Sequence, residues 1–170
     1  IGVRLVGSEM CIRDRTKRAP YLVFEALECH GGPGYIEESI MPRLYREAPL
    51  NSIWEGSGNV MCLDVLRALQ RDKNALPALF RELASAKGSN KNFDESFSHL
   101  KETLQDPIDL EVEARLLTEK MACLIQASIF IKSGEEEKVS AFCNSRLGPR
   151  WSGAFGTLPT DTSFEYIMGL

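Results

Sequence analysis

Glu55 stands between Trp54 and Gly56, where a new helix is expected to start. A carboxylate there suits two jobs. It can face the positive end of a helix dipole, or it can act as a base toward a proton held against it. Gly56 lets the backbone turn tightly, and Trp54 beside it would help exclude water. Ser57 and Asn59 follow, residue types that either cap a helix start or hydrogen-bond a polar ligand. Burial against a substrate would raise the Glu55 pKa, whereas a helix N-terminus pushes it down. The sequence leaves that contest open.

A second group lies upstream, in His30-Gly31-Gly32-Pro33-Gly34-Tyr35. A glycine turn of this kind offers backbone N–H groups with no Cβ to block a pyrophosphate. It also reads simply as a helix stop, with glycine supplying left-handed backbone and Pro33 preventing continuation. Arg46, in a charged stretch between the two groups, suits a structural ion pair.

The elements that must hold these residues read as helices throughout. Lys17 to Cys29 is predicted helical, with Leu22, Val23, Ala26, Leu27 and Cys29 on one side and Glu25 and Glu28 on the other. Ile36 to Glu47 is a short helix, broken near Pro42, and Ala48 to Trp54 is a loop. Gly56 to Arg71 is apolar on most sides, with Asp64, Arg67 and Arg71 as its polar face, and should be a central helix. Ala75 to Lys87 is a further helix. Asn92 with Glu95 three residues later resembles a capping box for Phe93 to Leu104. Asp106-Pro107 places a cap before a first-turn proline and opens Ile108 to about Lys132. There Ala114, Leu117, Met121 and Leu124 form one stripe, and Arg115, Glu119 and Gln126 the other side. Glu135 to Arg146 is a helix ended by Gly148-Pro149, and Trp151 to Thr160 is a loop. No segment alternates with period two long enough to need a sheet. The expected architecture is an all-α antiparallel bundle.

Composition narrows the function. A chain of 170 residues, 44% hydrophobic, is one domain with one core. A net charge of −4 and a pI near 5.3 give no global electrostatic case for nucleic acid. Cys11, Cys29, Cys62, Cys123 and Cys143 form no CxxC pair; reduced cysteines in a cytoplasmic protein fit better than disulfides or zinc, and no metal site is expected. No apolar run is long enough to span a membrane.

Residues 1–15, IGVRLVGSEMCIRDR, show no helical or strand period and lack an initiator Met. The string VGSEMCIRDR looks like a translated sequencing adapter. It is set aside as non-native, so that the domain proper is expected to cover residues 16–170.

From about Lys17 to Leu69, the glycine turn, spacer and Glu-Gly together resemble the C-terminal segment of the acyl-CoA dehydrogenases. LYREAPLNSIWEGSGNVMCLDVLRAL is most similar to their AidB-like, alkylation-response branch. The resemblance implies an FAD-dependent oxidoreductase of the fatty-acid metabolism type. A base removes the α-proton of an acyl-CoA while the β-hydrogen leaves as hydride to the flavin. Glu55 then stands as that base, with Gly56 and Trp54 beside the substrate. Gly31, Gly32, Gly34 and Tyr35 match a turn that meets the ADP part of a flavin bound mainly by another subunit. Ser57 and Asn59 match positions that bond its ribityl–adenosine part. The family's first bundle helix, flavin-covering β-domain and N-terminal helical domain are not in this chain, so it resembles a piece that would not turn over alone. Expected partners are acyl-CoA, an electron-accepting flavoprotein and further copies in a dimer of dimers. The AidB-like branch is also described as binding duplex DNA. Residues 61–170 carry 13 Lys/Arg against 16 Asp/Glu, and the triplet Arg67, Arg71 and Lys73 reads as a solvated face.

Overall fold

The computed structural model describes residues 2–54, 57–105, 110–149, 153 and 155–169, with side chains from residue 10 onward. Every regular element among them is helical. In order these are α1 (Gly2–Cys29), α2 (Gly32–Tyr35), α3 (Met41–Glu47), a single 3₁₀ turn (Leu50–Ser52), α4 (Gly58–Arg71), α5 (Ala75–Ala84), α6 (Lys91–Gln105), α7 (Ala114–Ser133), α8 (Glu136–Arg146) and α9 (Phe164–Met168). The all-α expectation holds.

The middle of the bundle is α7, not α4. Leu117, Met121, Ala122, Leu124 and Ala127 are fully or nearly fully buried, and α1, α4, α5, α6 and α8 all pack against α7. The stripe read from the sequence is thus the core-facing side. Helix α4 is one-sided: Met61, Cys62, Val65 and Leu66 face the core, while Val60 is exposed. Apolar residues crowded all round a short helix do not force it to the centre; the element with neighbours on every side takes that place.

The supposedly polar side of α7 is also used. Arg18 of α1 donates to Asp14 at 2.7 Å and to Glu119 at 3.0 Å, and Gln126 donates to the other Asp14 oxygen at 3.0 Å. Asp14 is buried, so these bonds satisfy a carboxylate that would otherwise be costly inside. Burial works against the Arg18 cation, but the Asp14 hydrogen bond and the charges of Asp14 and Glu119 outweigh it and hold its proton more tightly.

Several boundaries move for local reasons. Residues 2–15, which show no helical period in the sequence, are helical and continuous with the predicted Lys17 helix, and Met10 joins the core. The helix predicted from Ile36 is regular only from Met41, residues 36–40 being bends and turns, so the break falls just before Pro42, which sits in the first turn of α3 where its missing N–H costs nothing. Helix α6 is capped by Asn90, whose side-chain oxygen accepts from the N–H groups of Asn92 and Phe93 at 2.9 and 3.3 Å; Asn92 is inside the helix and its side chain bonds Asn144 instead. Helix α5 stops at Ala84. Helix α7 begins at Ala114 after turns at 110–113, and the predicted start at Asp106-Pro107-Ile108 falls outside the described residues. It ends where the sequence changes to Gly134, in left-handed backbone. Helix α9 interrupts a C-terminal stretch with no strong period.

All five cysteines are unpaired thiols. Burial pushes Cys123 up to about 12 and Cys143 to about 11, so neither supplies a thiolate near neutral pH. Among the described residues no helix is long and apolar enough to cross a membrane, and no group of three or more metal-ligating side chains forms.

Candidate functional site

Chain reversal after α1 builds the glycine turn. His30 and Gly31 donate their N–H groups to the carbonyls of Leu27 and Glu28 at 3.1 and 2.9 Å. Gly31 then takes φ +62°, a left-handed conformation that glycine adopts without strain. The short α2 follows. The three glycines have different jobs. A Cβ at Gly31 or Gly32 would meet nothing within 4 Å, whereas one at Gly34 would lie 2.4 Å from the Leu27 carbonyl oxygen. Gly34 is therefore demanded by packing, and Gly31 and Gly32 present an open face.

Gly34→Ala is expected to cost about 1–3 kcal/mol through overpacking against backbone. Gly32→Ala should leave stability almost unchanged. Urea midpoints at constant slope check this contrast, and equal losses at both positions would contradict the packing assigned to Gly34.

Tyr35 is 78% exposed beside the turn. It lines a cavity of about 680 Å³ with Phe24, Leu27, Ile36, Pro42 and Tyr45. Arg46 is at its edge, donating to both Glu37 oxygens at 2.7 and 3.1 Å. That hydrogen bond holds the Glu37 carboxyl below its usual range, and Arg46 is the structural ion pair expected of it.

The second group gathers at the start of α4. Trp54 is exposed and its indole N–H donates to Asn51 at 3.1 Å. Ser57 is the extended N-cap residue of α4, but its hydroxyl makes no capping bond, so it is left for another partner. The Asn59 side-chain oxygen accepts from Arg115 of α7 at 2.5 Å. Gly58 faces the tip of the Lys17 side chain of α1, 2.5 Å from where a Cβ would stand, and that flexible tip can move aside. Glu55 and Gly56 lie outside the described residues, and Trp54 and Ser57 are their nearest described neighbours.

The described members of the two groups lie at different points along α1. The start of α4 rests against Lys17, while the glycine turn follows Cys29 at the far end of the same helix, about 20 Å away at 1.5 Å per residue. A ligand touching both would have to be extended, or two ligands would be involved. Of the basic triplet, Arg67 is paired with Asp64 at 2.6 Å and exposed, as a solvated face predicts. The Asp14–Arg18–Glu119–Gln126 cluster went unnoticed in the sequence. The Asp14–Arg18 pair at i,i+4 is its one local signal, and Asp14 lies in the segment set aside as non-native; Glu119 is 101 positions from Arg18 and Gln126 112 from Asp14.

Comparison with known proteins adds to this geometry. Residues 15–70 match the acyl-CoA dehydrogenase, C-terminal domain family. The chain is 40% identical over 134 residues to putative acyl-CoA dehydrogenase AidB of Escherichia coli K12, covering 79% of this chain and 24% of that protein. It is 38% identical over 92 residues to acyl-CoA dehydrogenase family member 11 of Caenorhabditis elegans, covering 54% and 15%. A third relative, acryloyl-CoA reductase (NADH) of Anaerotignum propionicum, is 30% identical over 64 residues, covering 38% and 16%. The chain thus spans a quarter or less of each relative's length. The family match runs from the middle of α1 to the last turn of α4, over both residue groups described above, and on this ground residues 15–70 belong to the acyl-CoA dehydrogenase, C-terminal domain family.

Proposed function

We propose that this chain contributes the substrate base and part of the FAD surface of an oxidoreductase that introduces an α,β double bond into an acyl-CoA thioester. The observation that carries the reading is the order of the glycine turn and Glu55-Gly56-Ser57 inside the matched residues 15–70. Residues 16–170 are the domain in this reading, and residues 1–15 are adapter-derived.

The residues present fit an FAD. Gly31 and Gly32 offer a turn that no Cβ blocks; the Gly31 N–H is spent on Glu28, so the Gly32 amide is the one suited to a pyrophosphate, with Tyr35 exposed beside it. The uncommitted Ser57 hydroxyl and the Asn59 amide suit the polar ribityl–adenosine part. The separation of about 20 Å along α1 fits a cofactor held in an extended form, or two copies held at a subunit boundary. FAD, when bound, supplies the acceptor for the β-hydrogen. The Glu55 carboxylate takes the α-proton, and Gly56 lets the chain turn so that the carboxylate reaches a flat acyl chain. Trp54, already exposed, is the side chain placed to exclude water once acyl-CoA is bound.

Assembly follows from the surface. Phe24, Tyr35 and Tyr45 leave exposed apolar surface around the cavity beside the glycine turn, and Leu22 and Cys29, which the sequence places on the apolar side of their helix, are exposed as well. Faces of this kind associate, and further copies of the chain in a dimer of dimers would cover it. An electron-accepting flavoprotein would reoxidise the cofactor in a cytoplasmic setting.

The test uses a protein that joins this segment to a flavin-covering domain. It is expected to copurify with FAD and to bleach anaerobically with at least one saturated acyl-CoA. The 170-residue chain alone is expected to retain no stoichiometric flavin. A flavin-loaded protein that no acyl-CoA bleaches would remove the dehydrogenase reading and favour a DNA-associated flavoprotein.

A further inference from the structure

Asn59 is the second residue of α4, and Arg115 is the second residue of α7. Both side chains are exposed, but each stands on a fixed base. Gly58, Met61 and Cys62 bury the start of α4, and Ala114, Leu117 and Thr118 bury the start of α7. The two helices pack against each other. Arg115 Nε donates to Asn59 Oδ1 at 2.5 Å, across 56 positions of sequence.

The donor decides which way the carboxamide points. A guanidinium has no acceptor, so the Asn59 atom that faces it is the oxygen. The Asn59 NH2 group is then turned outward, where it makes no hydrogen bond among the described residues. The last torsion of an asparagine is broad and roughly two-fold. Without Arg115, Asn59 would offer an incoming ligand either end of its amide. An ionised, planar donor also holds the oxygen more firmly than a neutral one. Ser57, two residues earlier, has a hydroxyl with no capping bond, and a hydroxyl both donates and accepts. Asn59 therefore supplies the directionality that Ser57 lacks.

We propose that Arg115 is a positioning residue for the flavin: it holds the Asn59 oxygen, so that the Asn59 NH2 group is presented as a donor to an acceptor atom on the ribityl–adenosine part of FAD. This rests on the reading of Asn59 as an FAD contact and adds a residue to it. Arg115 lies beyond the matched residues 15–70, so α7 takes part in shaping a surface that the matched segment presents.

The test uses a protein that joins this segment to a flavin-covering domain, stripped of flavin and titrated with FAD while flavin fluorescence is followed. Arg115→Met keeps the aliphatic stem and removes the donor. It should weaken FAD about five- to tenfold, as loss of roughly one hydrogen bond implies. Asn59→Ala should weaken it at least as much, and the double variant no further than Asn59→Ala alone, because Arg115 acts through Asn59. Arg115→Lys returns a donor and should recover most of the loss. Asn59→Asp keeps an acceptor for Arg115 but has no NH2 group; apoprotein melting should hold or rise while FAD binding falls, and this variant carries the test if Arg115→Met does not fold. A bond that only ties α4 to α7 gives the opposite pattern, in which Arg115→Met lowers apoprotein melting and leaves FAD affinity unmoved. That pattern, or losses that add in the double variant, would overturn the role of Arg115 and leave the FAD reading standing. A wild type that takes up no FAD would overturn both.

Discussion

Glu55→Gln is expected to slow flavin reduction by an acyl-CoA by about two to four orders of magnitude, the usual cost of losing a general base. The substitution keeps the shape and hydrogen-bonding capacity of the side chain and removes its ability to take the α-proton. Flavin should stay bound, because the residues assigned to it are Gly31, Gly32, Gly34, Tyr35, Ser57 and Asn59. The competing role for Glu55 gives a different number. An acidic residue facing a helix N-terminus contributes only about 0.3–1 kcal/mol to stability, and its amide would leave turnover nearly intact. Anaerobic stopped-flow mixing of wild type and variant with the same saturated acyl-CoA separates the two. Similar bleaching rates in both proteins would show that the base is another residue.

Met10→Ala should lower stability by about 2–5 kcal/mol, the range for truncating a large buried side chain. Met10 is 1% exposed and belongs to the same cluster as Leu117 and Met121. Ile12, on the same helix, is 40% exposed, and Ile12→Ala should cost no more than about 0.5 kcal/mol. Urea denaturation of both variants beside the wild type reads the contrast directly. Equal and small losses would mean that the first half of α1 is not docked. The result bears on residues 1–15 whatever their origin, since a helix continued by foreign residues still buries whichever apolar side chain falls on the inner face.

The local readings that succeeded rest on forces acting within a few residues. The α7 stripe of Ala114, Leu117, Met121 and Leu124 is buried as its spacing predicts, because side chains three and four apart share a face. Helix α8 ends before Gly148-Pro149 as the sequence predicts, and the glycine there answers to space, since a Cβ would lie 2.6 Å from the Asn144 carbonyl oxygen. The cap of α6 was misread by two positions. Asn90 and Asn92 are both competent caps, and only the side chain of Asn90 turns back to the helix start; that of Asn92 is drawn away by Asn144, 52 positions along. A distant partner decided between two locally equivalent residues.

The sequence by itself determined that this chain is helical, where most of its helices lie, and that a glycine turn and a Glu-Gly pair stand in the order seen in the acyl-CoA dehydrogenases. Those properties depend on residue type and short spacing. Tertiary structure decided which helix is central, which glycine is required by packing, and that the two residue groups are about 20 Å apart along α1. It also decided the Asp14–Arg18–Glu119–Gln126 cluster and the Arg115–Asn59 bond between α7 and α4. Each of these depends on which faces meet across long stretches of chain, and periodicity marks a face as buried without naming the face it meets.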